Sequence, residues 1–225
     1  KLWSNLMRLE LKKRLITSIF LLVLLYMMFL YSFVLMIFSI LIGLISWIEF
    51  YALISKIFKK DHIKDKILRF LYKSSSLLYL SGLVFFIISA KLINMNQHIA
   101  LIYSLLIAIM SDVGGLLIGK TFKGKKLSKI SPNKTISGSL GSFIFSLILI
   151  PFFLKHFNGY SILTIILFTA VISLTSQIGD LLISLIKRKA KVKNTSDLLP
   201  GHGGVLDRID GIIFAIPVGL LLFSI

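Results

Sequence analysis

Residues 15–55 contain a single charged side chain, Glu49. At about 1.5 Å per residue a helix of that length reaches roughly 60 Å, twice a hydrocarbon core of about 30 Å. The stretch therefore predicts two membrane-spanning helices joined by a tight turn. Length alone puts the turn near Tyr31 and Ser32, because no Gly or Pro marks it. Further apolar runs follow at residues 74–93, 99–119, 138–156, 159–186 and 211–225, the last short for a full crossing. Seven spans result. A chain that is 56% hydrophobic, with the excess gathered into long runs, is not packed around one soluble core. The expected fold is all-α: a polytopic helical integral membrane protein of about seven transmembrane helices.

The connections sort by charge. The N-terminal stretch carries five Lys or Arg, residues 56–73 seven, residues 120–134 six and residues 187–210 six. The other connections hold only Lys91 and Lys155, so 24 of 26 basic residues fall on one side of a seven-span bundle. The positive-inside rule then places the N-terminus and the three basic loops in the cytoplasm, in a multi-pass protein of the inner (cytoplasmic) membrane. Topology and attraction to anionic lipid account for most of the formal net charge of +17, so no nucleic-acid partner is expected. The opening "KLWSNLMRLELKKR" resembles the basic start of a signal peptide. The apolar run after it far exceeds a signal core of roughly 7–15 residues, so it reads as an anchor. The absence of Cys excludes disulfides and thiolate metal sites. The organisation expected is residues 1–98 as N-terminal transmembrane helices and residues 99–225 as a catalytic region with cytoplasmic loops 120–137 and 187–210.

There are nine acids. Glu10, Asp61 and Asp65 sit among lysines as solvated partners. Glu49, beside Trp47 and Tyr51, is either a buried hydrogen-bonding residue or an interface residue. Asp112 and Asp180 lie inside apolar runs, where a carboxylate costs on the order of 3 kcal/mol and usually marks function. Gly114, Gly115 and Gly179 beside them permit close helix approach. In "LDRIDG", Asp207 and Asp210 stand three apart, on one face of a helix. Asp180 approaches from the same side of the membrane. Three carboxylates at one depth repel unless a cation lies between them, and oxygen donors without Cys suit Mg²⁺ rather than zinc.

The loops supply complementary charge. In "PGHGG", Gly201, Gly203 and Gly204 either bring backbone N–H groups up to an anion or form a plain tight loop. Lys187 and Arg188 close the preceding helix. The loop "GKTFKGKKLSKISPNKT" adds Lys120, Ser131, Lys134 and Thr135. Basic, Gly-containing loops facing carboxylates that hold a metal are recurring parts of phosphoryl and nucleotidyl transfer. The residues thus point to a membrane enzyme acting with Mg²⁺ on a phosphorylated, partly lipidic substrate.

Ser184, Lys187, Arg188, Lys193 and the run "LPGHGGVLDRID" closely resemble the signature of the phosphatidate cytidylyltransferases (CDP-diacylglycerol synthases), over 27 positions here. "SDVGGLLIGKTF" followed by "SPNKT" is similar to that family's second conserved loop. Three positions depart from the pattern: Asn194 replaces an Asp, Ser137 a Glu, and Ser142 the second Gly of a pair. The resemblance implies the conversion of CTP and phosphatidate to CDP-diacylglycerol and pyrophosphate. It implies a Mg²⁺ centre on Asp180, Asp207 and Asp210, with a monovalent cation such as K⁺ alongside.

In that scheme Lys187, Arg188 and Arg208 neutralise the triphosphate and the departing pyrophosphate. Ser131, Lys134 and Thr135, with Lys193, serve nucleotide or lipid phosphate. Ser184, one turn past Asp180, supports that carboxylate. Gly201, Gly203 and Gly204 meet phosphate by their backbone. His202 bonds a phosphate oxygen or shapes the turn, and Asp112 positions a Lys or a second cation. A homodimer is an expectation that no single residue carries. Two rivals fare worse. The CDP-alcohol phosphatidyltransferase motif needs acids downstream of Asp210-Gly211, and none exists. A cation-coupled transporter using Asp112 and Asp180 would favour internal repeats and a midplane site, and neither is visible.

Overall fold

The computed structural model describes residues 2–59, 62–92, 95–128, 131, 134–157, 159–201 and 203–224, without the side chains of residues 2–11, 13 and 14. The chain is helical. α1 covers Leu2–Leu30, α2 Ser32–Ile57, α3 Ile63–Leu92, α4 Met95–Phe122, α5 Ile136–Leu147, α6 Ile150–Phe153, α7 Ile162–Lys189, α8 Leu206–Ile209 and α9 Ile212–Leu222, with a 3₁₀ turn at Leu154–His156. Among the described residues there is no strand, only isolated bridges between Lys126 and Thr135 and between Leu199 and Gly203.

The expected break in the first apolar run falls on one residue. Tyr31 is extended (φ −113°, ψ 113°) between α1 and α2. Helix α3 starts eleven residues before its apolar part at residue 74, so the basic segment 63–73 is helix rather than loop. Pro151 stands in the first turn of α6, where its missing N–H belongs to no helical bond. The Ile136–His156 segment is accordingly broken at residues 148–149 rather than one straight rod.

Five helical segments are long and apolar enough to cross a membrane: Ser32–Ile57, Ile63–Leu92, Met95–Phe122, Ile136–His156 and Ile162–Lys189. Leu15–Leu30 and Ile212–Leu222 are shorter apolar helices. The distribution of side chains is that of a protein solvated by lipid. Phe33, Leu78 and Phe152 are more than two-thirds exposed, while Ser46, Ser104, Ser111, Ser146 and Ser173 are fully buried. Small hydroxyls satisfied on nearby backbone carbonyls let helices approach closely where no hydrophobic force separates helix from solvent. The chain is a polytopic membrane protein.

Two compact units emerge. One comprises Lys1–Ile88 with Lys189–Arg208, the other Ser89–Arg188 with Ile209–Ile225. The loop after α7, grouped above with the C-terminal region, thus belongs mostly with the first helices. In the second unit α4 packs against α5 and α9. Ser142, at a position where the family pattern has Gly, donates from Oγ to the Ser111 carbonyl at 2.7 Å and so ties α5 to α4. Tyr103, Phe153, Phe157 and Phe223 form an aromatic cluster in the same unit, with Phe157 stacked on Phe223 at 4.1 Å. Tyr103 bonds Thr169 at 2.6 Å, and Thr169 lies about 16 Å along α7 from Asp180 at helical rise. One end of this unit is aromatic and the other carries the acids.

Candidate functional site

In the second unit α7 supplies Asp180, Ser184 and Lys187, the loop before α5 supplies Lys134, and the junction of α8 and α9 supplies Asp210. Lys134 Nζ forms an ion pair with Asp180 Oδ2. Ser184 Oγ lies 3.4 Å from Asp180 Oδ1, a long contact from one turn further along α7. The Asp180 carboxyl adjoins that of Asp210 closely enough to raise the proton affinity of Asp210. Lys187 Nζ stands 3.9 Å from Asp210 Oδ2, both largely buried. The Gly211 N–H donates to Asp210 Oδ1 at 3.0 Å.

Gly179 makes this possible. A Cβ there would run into the Phe214 ring and stand 2.8 Å from the Asp210 carbonyl. Only a residue without a side chain lets the start of α9 come this close to α7 and set one carboxylate against the other.

The electrostatics follow. Burial pushes the Asp210 carboxyl up to about 8; Asp180 and Asp112 push the same way and Lys187 opposes them. Asp112, on the exposed side of α4, is near enough to act on Asp210. One turn before Asp180, the buried Ser176 hydroxyl has no hydrogen-bond partner. Two adjoining carboxylates, of which Asp210 holds its proton above the usual range, beside an unsatisfied hydroxyl, form an oxygen-only donor set for a hard cation. Among the described residues no three acidic or His side chains stand close enough together to hold a metal ion. The fit to Mg²⁺ therefore rests on the Asp180–Asp210 pair.

Asp207 sits in the first unit with different duties. Its Oδ2 accepts the N–H groups of Thr195 (2.8 Å) and Gly204 (3.0 Å). Around it, the 199–203 turn is closed by Leu199 N–H to Gly203 O (2.8 Å) and Gly203 N–H to Leu199 O (3.1 Å). The Gly203 and Gly204 N–H groups, read above either as an anion cradle or as part of a plain tight loop, are engaged within their own loop. Gly201 and Gly203 adopt positive φ (76° and 87°), which is what the turn requires of them. His202 lies outside the described residues. Arg188, Lys193 and Arg208 are exposed. Thr135 caps α5, its Oγ1 accepting from Gly138 N–H at 3.0 Å. The Ser131 carbonyl accepts the Lys134 N–H at 3.1 Å, which shapes the approach of Lys134.

Beneath the same loop Glu49 resolves its two readings. It is buried and accepts from Thr195 Oγ1 (2.7 Å), Ser196 Oγ (2.6 Å), Val205 N–H (3.0 Å) and Leu206 N–H (2.8 Å). Thr195 Oγ1 is also 3.1 Å from Asp207 Oδ2, so the two carboxylates flank one hydroxyl. No spacing in the sequence singles out Thr195; the only hint was an acid inside an apolar helix.

The sequence model of the cytidylyltransferase family matches residues 3–225. The chain belongs to the cytidylyltransferase family. A protein named phosphatidate cytidylyltransferase from Helicobacter pylori (strain J99 / ATCC 700824) is 33% identical over 199 residues, 81% of this chain and 71% of that protein. Proteins of the same name from Staphylococcus haemolyticus (strain JCSC1435) and Staphylococcus aureus (strain COL) are 40% and 41% identical over 121 residues, 52% of this chain. The chain spans about half the length of these staphylococcal relatives, 46% of each. Within this cytidylyltransferase-family chain the departures from the pattern have local uses. Ser137 Oγ accepts the Gly124 N–H at 3.2 Å and holds the basic loop to the start of α5. Asn194 is exposed and borders Gly203.

Proposed function

We propose that this chain transfers the cytidylyl group of CTP to phosphatidate, giving CDP-diacylglycerol and pyrophosphate. The observation that carries the reading is the Asp180–Asp210 carboxylate pair, flanked by Lys134 and Lys187, in a polytopic member of the cytidylyltransferase family. In the proposed orientation seven apolar helices cross the inner membrane, with the N-terminus and the basic connections in the cytoplasm.

The chemistry asks little covalent help of the protein. A phosphatidate phosphate oxygen forms a bond to the α-phosphorus of CTP, and the bond from that phosphorus to the β-phosphate oxygen breaks. Pyrophosphate leaves with the electron pair. The nucleophile is already an anion, so no Ser or Cys attack is needed, and alignment and charge neutralisation do the work. Asp180 and Asp210 would hold Mg²⁺, which when bound offsets the charge of the triphosphate. Lys134, which pairs with Asp180, would exchange that carboxylate for a phosphate oxygen of the substrate. Lys187, held near Asp210, stands ready for the departing pyrophosphate, with Arg188 at the same helix end. Asp207 holds the loop that carries the signature glycines.

The test is synthesis itself. The purified chain in phosphatidylcholine vesicles containing phosphatidate, given CTP labelled in the cytidine and Mg²⁺, is expected to move label into the lipid fraction. Label that stays in water, or incorporation untouched by Asp180→Asn and Asp210→Asn, overturns the assignment.

A further inference from the structure

A cavity of about 390 Å³ opens in the first unit between α2 and α3. Trp47 and Tyr51 form its α2 wall; Lys66, Arg69, Lys73 and Leu77 lie on its α3 wall. None of its described lining residues is acidic, and none belongs to the 184–210 signature. Lys66, Arg69 and Lys73 follow one another on one face of α3 at spacings of three and four.

The cavity is built rather than incidental. Trp47 Nε1 donates to the Lys73 carbonyl at 3.2 Å, and Lys73 Nζ lies 3.3 Å from the centroid of the Tyr51 ring. These contacts fix the two helices to each other at this level. Arg69 donates from Nη2 to the Phe58 carbonyl at 2.5 Å, which anchors its guanidinium. Its Nε–H is buried and has no hydrogen-bond partner. A buried guanidinium donor without an acceptor is a costly group, and in a basic cavity the natural acceptor is an anion.

The depth identifies the anion. The cavity spans the point where α3 changes from the charged 63–73 segment to the apolar remainder, with Trp47 and Tyr51 alongside as interfacial aromatics. Below it Leu78 and Phe85 are 72% and 66% exposed, an apolar surface for acyl chains. We infer that this cavity binds the phosphate headgroup of an anionic phospholipid, at a site separate from the signature residues. The phosphate accepts from Arg69 Nε–H and meets Lys73, while the chains run down α3. The inference does not depend on the transferase reading.

Trp47 reports on the site directly. With Trp3→Phe leaving Trp47 as the single indole, the protein is placed in phosphatidylcholine vesicles doped with a small fraction of either brominated phosphatidylglycerol or brominated phosphatidylcholine. The anionic bromolipid should quench Trp47 more strongly at equal fraction. Arg69→Gln should lower its retention about fivefold, the effect of one cation at a lipid surface, and Arg69→Lys should restore most of it. Equal quenching by the two lipids in the unaltered site, or a preference that survives both Arg69→Gln and Lys73→Gln, overturns the inference. So does loss of the preference on adding inorganic phosphate, which would make the site one for soluble anions.

Discussion

The hydroxyl of Thr195 lies 2.7 Å from Glu49 Oε2, joining residues 146 positions apart in the chain. Glu49 is a carboxylate inside an apolar helix that accepts from four donors, and these hydrogen bonds make its burial tolerable. Glu49→Gln turns one acceptor oxygen into an NH₂ that faces two donors, one hydroxyl and one backbone N–H. We expect a loss of about 3 kcal/mol, since bonds to charged groups contribute roughly 1.5–3 kcal/mol each. Trypsin should then cut the Lys189–Arg208 segment much faster, and thermal unfolding in detergent should shift down. Unchanged cleavage would show that Glu49 does not hold this loop.

The two acids of "LDRID" should separate by assay. Asp207→Asn keeps an oxygen for the Thr195 and Gly204 N–H groups and should lose only about 1 kcal/mol of stability, while Asp207→Ala leaves both unpaired and should lose several times more. Asp210→Asn also keeps an oxygen for the Gly211 N–H and removes one of two adjoining carboxylates. It should unfold no earlier than the parent chain, yet transfer label from CTP at least about a hundredfold more slowly. Parallel thermal melts and incorporation assays on the three variants decide this.

Gly179→Ala tests the close approach of α7 to the start of α9. Alanine gains up to about 1 kcal/mol in helix propensity, but its methyl meets the Asp210 backbone carbonyl and the Phe214 ring. Overpacking of about 1–3 kcal/mol outweighs that gain, because a backbone carbonyl cannot rotate away. The variant is expected to melt earlier and to lose activity together with stability. A stabilised, active Gly179→Ala would mean that the two segments need not touch.

These particulars show which parts of the fold and site the sequence made legible. The break at Tyr31 was legible from length alone, because no bilayer accommodates the 15–55 run as one crossing. The Asp180–Asp210 pairing was legible in outline, because carboxylates in apolar surroundings are rare and Gly179 advertised a close contact. The helical start of α3 was hidden: lysines in residues 63–73 look the same on a helix as in a loop. That Asp207 and Asp210 meet different partners was hidden too. Spacing of three says that two side chains share a face, not which donors each one meets, and the donors of Asp207 come from Thr195 and Gly204. Glu49 was visible as an anomaly only, since its partners come from far along the chain.

Magnesium should stabilise the folded protein through the carboxylate pair. A ligand that binds only the native state at a hundred times its dissociation constant adds about 2.7 kcal/mol. Chelated protein is therefore expected to melt earlier than protein in excess Mg²⁺, with the gap abolished in the Asp180→Asn, Asp210→Asn double variant. Lys134→Gln should widen the gap. It removes the ammonium that pairs with Asp180 and competes with the ion for that carboxylate. If Lys134→Gln narrows the Mg²⁺-dependent shift, Lys134 assists the ion instead of competing with it, and the exchange of Lys134 from carboxylate to phosphate is wrong.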